Sequence, residues 1–339
     1  MNKRKGNQTI FFETPPIIVA TGTVAGKMES EGPIGSFFDL TTDDALFGEK
    51  TWEKAESKFS KTAVATAFKN ANCEPEDIDY LLGGDLINQC TGTTYGIRDF
   101  GIPYFGLYGA CSTMALSMSM ASICIDGGFA KRCAAVTSSH FCSAEKQFRF
   151  PLEYGGQRPP TAQWTVTGSA CAVIEEGDSQ KKGVKIEGIT TGKIIDKGIT
   201  DANSMGAAMA PAAADTLITH FNETGRTPDY YDIILSGDLG KIGKSIVIDI
   251  AKDKGYDLSK NYNDCGVIIF DSEKQDTHSG GSGCACAGLT FCGYIYKLLS
   301  EKTIKKVLFM ATGALQSPLS IQQGESIPGI AHAISIYSI

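Results

Sequence analysis

The chain has 339 residues, 42% of them hydrophobic and 20% charged, with a formal net charge of −7. That length suits two ordinary domains or one duplicated core, and the composition is that of a soluble globular chain. An acidic balance without clustered Lys and Arg argues against nucleic acid as a partner, because phosphates must be neutralised by cations.

The first residues, "MNKRKGNQTIFFETPP", carry a basic cluster at Lys3, Arg4 and Lys5 but no apolar run or cleavage site of a signal peptide. A solvated tail is expected here, with contact to an acidic membrane surface as the sharper alternative. "FSKTAVATAFKNA" (59–71) has helical spacing of its apolar residues, and "IDYLLGG" (78–84) is a short buried strand bounded by glycine. Between Asp99 and Asp126 no residue is charged. Length alone would permit a membrane span, but Gly, Pro, Ser and Thr are scattered through the run. A second uncharged run lies between His278 and Lys297. Two such runs are expected as helices buried on all sides of a large core.

Eleven cysteines are spread along the chain without a disulfide-rich pattern, so reduced thiols are expected. Cys284 and Cys286 lack the spaced partners of a zinc site and are read as small buried residues. Neither a metal site nor a cofactor is called for.

The chain repeats itself. Pro75 matches Pro228, Asp79 matches Asp232, and Asp85 matches Asp238, at a constant offset of 153 residues. In the same order, "VATGT" (19–23) matches "ITTGK" (189–193), and "AKRCAAVTSS" (130–139) matches "IKKVLFMATG" (304–313). The run opened by Cys111 matches the run opened by Cys284. Each copy reads strand, amphipathic helix, strand, buried helix, strand, which predicts an α/β fold with largely parallel sheets. Placing both uncharged helices between two sheets covers them. The result is a five-layer αβαβα fold with halves at 1–178 and 179–339.

That architecture, with a cysteine opening the first central helix, resembles the thiolase superfamily. "VTGSACAVIEE" (166–176) and "YGACST" (108–113) are similar to stretches of its ketoacyl-acyl-carrier-protein synthases. Longer strings resemble the stage V sporulation protein AD family: "YGACSTM" (108–114), "FRFPLEYGGQRPPTAQWTVTGSACAVI" (148–174), "GGSGCACAG" (280–288) and "QSPLSIQQGESIPGIAHAISI" (316–336). The resemblance implies a protein of the forespore and dormant spore, peripherally associated with the inner spore membrane. It implies binding of pyridine-2,6-dicarboxylic acid (dipicolinic acid), alone or with calcium. The setting is uptake of the calcium chelate into the developing spore and its release in germination. Membrane-embedded subunits of the same spore system are the expected partners, and the fold analogy implies a homodimer.

A thiol at a helix N-terminus is favoured as thiolate, so Cys111 is a candidate nucleophile. Condensing members of the superfamily place His or Asn at two further positions to activate the thiol and hold an oxyanion. At the first, after "YDIILSG", this chain has Gly237 and Asp238; at the second it has Ser282. A carboxylate beside a thiol disfavours thiolate. The condensing apparatus is therefore read as absent. Of the four His, His140 and His332 lie in family-like strings and could approach the site; His278 lies in a polar loop. His220, the counterpart of Ala67, is expected to be exposed.

A flat aromatic dianion needs fixed donors for two carboxylates and an apolar slot for the ring. Backbone N–H groups near Ser112 and Thr113 are candidates at the helix end. Arg149, Gln157 and Arg158 stand in the "FRFPLEYGGQRPP" loop, with Lys146, Thr161 and Gln163 beside them. Phe148, Phe150 and Tyr154 are candidates to flank the ring. Cys111, His140, Asp238 and Ser282 complete the candidate ligand-binding set; Asp238 could hold calcium or a donor, or point elsewhere. "QQGESIPG" (322–329) is either a second wall or a structural turn. The alternative to a binding protein is an acyltransferase using Cys111, and a scaffold for membrane subunits is a third reading.

Overall fold

The computed structural model describes residues 3–148, 158–178 and 181–339. The first copy begins with β1 (Thr9–Phe11) and β2 (Ile17–Ala25), followed by α1 (Lys27–Ser30) and β3 (Leu40–Thr41). The amphipathic helix α2 (Trp52–Ala71) leads to β4 (Tyr80–Gly84), α3 (Thr91–Ile97) and β5 (Tyr104–Gly106). The uncharged run forms α4 (Thr113–Asp126), then β6 (Arg132–Ser139), α5 (Phe141–Phe148), β7 (Trp164–Thr165) and β8 (Gly168–Glu175). The second copy runs β9 (Val184–Thr190), α6 (Met205–Thr224), β10 (Ile233–Ser236), α7 (Gly240–Asp253), β11 (Tyr262–Asp264) and α8 (Cys265–Ile268). It continues through β12 (Gly281–Ser282), α9 (Cys284–Leu289), a π-helical stretch (Thr290–Ile295), α10 (Tyr296–Ser300), β13 (Lys306–Ala314), α11 (Pro318–Gln322) and β14 (Gly329–Ser338).

The main sheet follows the order β11-β10-β13-β14-β9-β2-β8-β6-β4-β5. Its two halves meet where Ile17 pairs Lys185 and Ile18 pairs Val184, antiparallel. The repetition extends to register. Tyr80 pairs Cys133 in the parallel β4–β6 pair, and Ile233 pairs Val307 in the parallel β10–β13 pair. Asp79 accepts the N–H groups of Lys131 (2.6 Å) and Arg132 (3.0 Å). Asp232 does the same for Lys305 (2.7 Å) and Lys306 (2.9 Å). Each aspartate locks the start of the neighbouring strand, because a carboxylate can satisfy two otherwise unpaired donors at once.

Five layers follow from what each helix has to hide. α4 touches β4 and β6 of one half and β13 and β14 of the other, so its lack of a charged face is accounted for. α9 and the π-helical stretch lie against β8, with Leu289, Phe291 and Phe309 fully buried. The Phe291 and Phe309 rings stack at 4.6 Å between centroids. Burial of each such side chain contributes about 1.5–3 kcal/mol. On the outside, α2 covers β2, β8 and β6, and α6 covers β14 and β13. Thr51 caps α2 by accepting from the Lys54 N–H (3.3 Å), and Asn72 ends it in the left-handed region at φ 52°. Gly22 is needed beneath this helix: a Cβ there would come within 2.3 Å of the Ala67 nitrogen.

Two expectations meet a different outcome. His220 is buried, with Nδ1 paired to Thr190 Oγ1 (2.8 Å) and Nε2 to Tyr231 OH (2.6 Å). Burial pushes its pKa down to about 3, so the ring is a neutral bridge between α6 and the sheet. The sheet is mixed rather than largely parallel, since β2–β8, β6–β8, β13–β14 and β14–β9 pair antiparallel; the second central helix is buried as expected, with a π-helical middle turn. Thr21 Oγ1 donates to the Cys292 carbonyl there (2.8 Å). Among the described residues, no helix is long and apolar enough to cross a membrane. All eleven cysteines are free.

Candidate functional site

The site is built on the turn between β5 and α4. Ala110 takes a left-handed conformation (φ 49°), which swings Cys111 onto the start of the helix. The turn is held by its own hydroxyls. Ser112 Oγ donates to the Gly109 carbonyl and Thr113 Oγ1 to the Ala110 carbonyl, each at 2.6 Å. The backbone N–H groups of Ser112 and Thr113 donate to the same two carbonyls at 3.1 and 3.2 Å. These N–H groups, candidates for a ligand carboxylate, are thus occupied within the turn. β13 lies beneath: a Cβ on Gly313 would come within 2.3 Å of the Gly109 oxygen.

Behind Cys111 lies Asp238, fully buried at the end of β10. Its Oδ1 accepts from Thr312 Oγ1 (2.7 Å). Its Oδ2 accepts from Ser282 Oγ (3.0 Å) and the Gly283 N–H (3.0 Å). The Cys111 thiol lies close enough to this carboxylate for the two to influence each other's titration. Burial raises the Asp238 pKa, and these donors pull it back. Burial also pushes the Cys111 thiol well above its ordinary range, and the Asp238 charge and Cys284 push it further. Cys111 is therefore a neutral thiol at pH 7 despite its place at a helix N-terminus. Gln163 ties this corner together, its Nε2 donating to the carbonyls of Asp238 (2.6 Å) and Gly281 (2.8 Å). Cys284, which opens α9, donates its thiol to the Ala110 carbonyl at 3.1 Å.

In front of Cys111 is a cavity of about 40 Å³. Leu86, Ala110, Ala144, Phe148, Ala202, Met205 and Ala314 form its apolar walls; Tyr108, Cys111, Thr165, Ser282, Gln316 and Glu145 supply the polar atoms. The Tyr108 side chain is about half exposed, and partial desolvation raises its phenol further above its ordinary value. Tyr108, Phe148 and Gln316 are shared with an outer pocket of about 360 Å³ lined also by Asn88, Gln89, Gln147, Leu315, Ser317 and Ser320.

The structure brings Cys111 and Ser282 together at this cavity, with Asp238 directly behind them. His140 does not line it. Its Nε2 donates to the Ala45 carbonyl (2.7 Å), and its Nδ1 accepts from the Cys142 N–H (3.1 Å). Burial holds that ring neutral. Arg158 also lies off the cavity. It donates to the Asp276 carbonyl and carboxylate and sits 4.9 Å over the Trp164 ring, which stacks on Phe141 at 3.8 Å. Lys146 pairs with Glu53 at 2.8 Å. His332 is buried with its pKa pushed down to about 4, and His278 pairs with Asp276 at 2.9 Å. Arg149, Phe150, Tyr154 and Gln157 lie outside the described residues. Of "QQGESIPG", no residue lines the cavity; the wall comes from Ala314, just upstream, and Gln316.

Two features escape the sequence reading. One is Gln316, a wall of both compartments. The other is a buried acid pair beneath them. Glu56 accepts from Ser143 Oγ (2.5 Å) and Ser138 Oγ (3.2 Å), and Asp85 accepts from the N–H groups of Thr93 (2.6 Å) and Ile87 (2.8 Å). Burial, reinforced by the Asp85 charge, pushes Glu56 well above the carboxylate range. Among the described residues, no group of three or more His, Cys, Asp or Glu is placed to hold a metal ion.

The sequence profile of Stage V sporulation protein AD (SpoVAD) matches residues 6–337. The chain belongs to this family. Stage V sporulation protein AD of Bacillus subtilis (strain 168) is 48% identical over 332 residues, covering 98% of this chain and 97% of that relative. Among solved structures, OleA of Xanthomonas campestris is similar with a TM-score of 0.60 at 14% identity, covering 96% of this chain and 97% of that one. The synthase 3-oxoacyl-(acyl carrier protein) synthase III of Pseudomonas aeruginosa PAO1 is similar with a TM-score of 0.57 at 11% identity, covering 96% and 98%. At these identities the likeness concerns the fold, which is thiolase-like.

Proposed function

We propose that this sporulation protein is a non-catalytic binding protein for pyridine-2,6-dicarboxylic acid, acting in uptake of the calcium chelate into the developing spore and its release in germination. The observation that carries the non-catalytic part is the partner of Cys111. A nucleophilic thiol needs a base within hydrogen-bond reach. Here the group beside the thiol is a buried carboxylate that already accepts three hydrogen bonds, and the imidazole of His140 lies off the cavity, committed to Ala45 and Cys142. The ligand reading rests on family membership, with the cavity as its place. Tyr108 and Phe148 offer faces for a flat ring, and the lining is mostly apolar with a few polar atoms, as small-molecule sites are.

Calcium turns the dianion into a neutral chelate. Arg149, next in the chain to Phe148, is the candidate cation. Membrane-embedded subunits of the same spore system are the proposed partners at the inner spore membrane, with the protein itself a homodimer.

Calorimetric titration with dipicolinate, with and without calcium, tests the binding. Intact mass after incubation with an acyl-CoA tests the alternative, which the place of Cys111 at the start of α4 favours: an acyltransferase would carry an acyl adduct on Cys111. Binding without an adduct supports the proposal. An adduct lost in Cys111→Ser, or no binding of either form of dipicolinate, overturns it.

A further inference from the structure

Gln316 lines both the inner cavity and the outer pocket, as do Tyr108 and Phe148. It is 8% exposed, yet its amide is poorly satisfied. Among the described residues Oε1 has no hydrogen-bond partner, and Nε2 reaches only the Met205 thioether at 3.4 Å, a weak acceptor. A buried amide in this state destabilises the fold, and a leucine of similar shape would remove the penalty. A structural role does not account for a polar group kept here. A ligand that offers Nε2 an acceptor better than a thioether does.

We infer that Gln316 is the amide that recognises a ligand carboxylate in this site. This rests on the dicarboxylate reading of the cavity and assigns it a specificity residue. The ring lies between Tyr108 and Phe148, and one carboxylate turns toward Gln316. A carboxylate only accepts, so the donor is Nε2, which exchanges its contact with Met205 for a charge-assisted hydrogen bond. Rotation of the terminal amide, a soft two-fold torsion, aims either end of the group. A neutral donor also spares the protein a desolvated cation in the empty site, which suits a ligand that must be both loaded and released.

The test is titration of the full-length wild type, Gln316→Leu and Gln316→Glu with dipicolinate, with and without calcium, alongside thermal melting of each protein without ligand. Loss of one neutral donor to a charged acceptor should weaken binding about ten- to a hundredfold in Gln316→Leu. Gln316→Glu should weaken binding of the free dianion further, because two carboxylates then face each other. The ligand-free Gln316→Leu should melt at or above the wild-type temperature. Wild-type binding with Gln316→Leu within threefold of it overturns this assignment and leaves the proposed function standing. A fall of several degrees in the ligand-free melting point of Gln316→Leu shows the amide to be structural and also overturns it. No wild-type binding removes both.

Discussion

Asp238→Ala should cost about 3 kcal/mol of stability. The fully buried wild-type carboxylate holds three donors: Thr312 Oγ1, Ser282 Oγ and the Gly283 N–H. The Gly283 N–H cannot turn elsewhere, and an orphaned buried donor costs about 1–3 kcal/mol. Each hydroxyl loses a hydrogen bond to a charged group, about 1.5 kcal/mol at the low end, part of which it regains by rotating to another acceptor. Against this stands the removal of a carboxylate that burial has made unfavourable, seen in its raised pKa. The balance stays destabilising because the donors outnumber the charge they served, as when one partner of a buried pair is removed. Asp238→Asn should cost about half as much, since one oxygen still accepts while the NH₂ meets donors at the other. Urea unfolding at pH 7, followed by tryptophan fluorescence and extrapolated linearly, measures both. Asp238→Ala within 0.5 kcal/mol of the wild type would refute the view that this carboxylate organises the corner behind Cys111.

A second expectation concerns pH. Glu29 is buried with Oε1 accepting from the Thr167 N–H (2.8 Å), and burial pushes its pKa up to about 7. A folded-state value above the unfolded one of about 4.3 means that its stabilising contribution is complete below about pH 4 and is lost as pH rises through about 7. Glu29→Gln, with no proton to lose, should unfold at higher urea than the wild type at pH 8 and show a flatter profile between pH 5 and 8; an unchanged slope would count against the assignment. Gly313→Ala should destabilise by about 1–3 kcal/mol through overpacking, because its Cβ meets the Gly109 carbonyl at 2.3 Å, and should displace the Cys111 turn. A variant as stable as the wild type, with dipicolinate binding unchanged, would show that β13 can give way.

The duplicated fold is legible in the sequence because its signals are local and strong. Asp79 and Asp232 hold a constant offset because each caps the neighbouring strand with the same pair of hydrogen bonds. The uncharged runs could be placed because a helix without a polar face has to be covered. What stayed hidden depends on partners distant in sequence. His220 looked like a surface residue, but Thr190 and Tyr231 enclose it. The π-helical turn at Thr290–Ile295 differs from its α-helical flanks by one residue of hydrogen-bond spacing, which composition does not record. Arg158 looked like an anion donor on a loop, but its direction was set by Asp276 and Trp164. Gln316 carried no signal beyond lying in a family-like string, since an unsatisfied amide is a property of its surroundings.

The two copies diverge most at the aspartate that ends the second strand of each. In the first copy Asp85 serves its own turn, accepting from Ile87 and Thr93, with Glu56 close by: a Cβ on Gly92 would be 3.2 Å from both carboxyl carbons. In the second copy Asp238 joins the end of β10 to Thr312 on β13 and to Ser282 and Gly283 ahead of α9, and its charge acts on Cys111 of the other copy. The same residue at the same position therefore closes a loop in one half and ties a strand end to its neighbouring strand and to the second central helix in the other. The second use has a chemical consequence. An imidazole behind Cys111 could take its proton; a carboxylate there, already short of solvation, instead makes thiolate formation harder by adding negative charge nearby. Cys111 is left as a small, neutral and polarisable wall of the cavity.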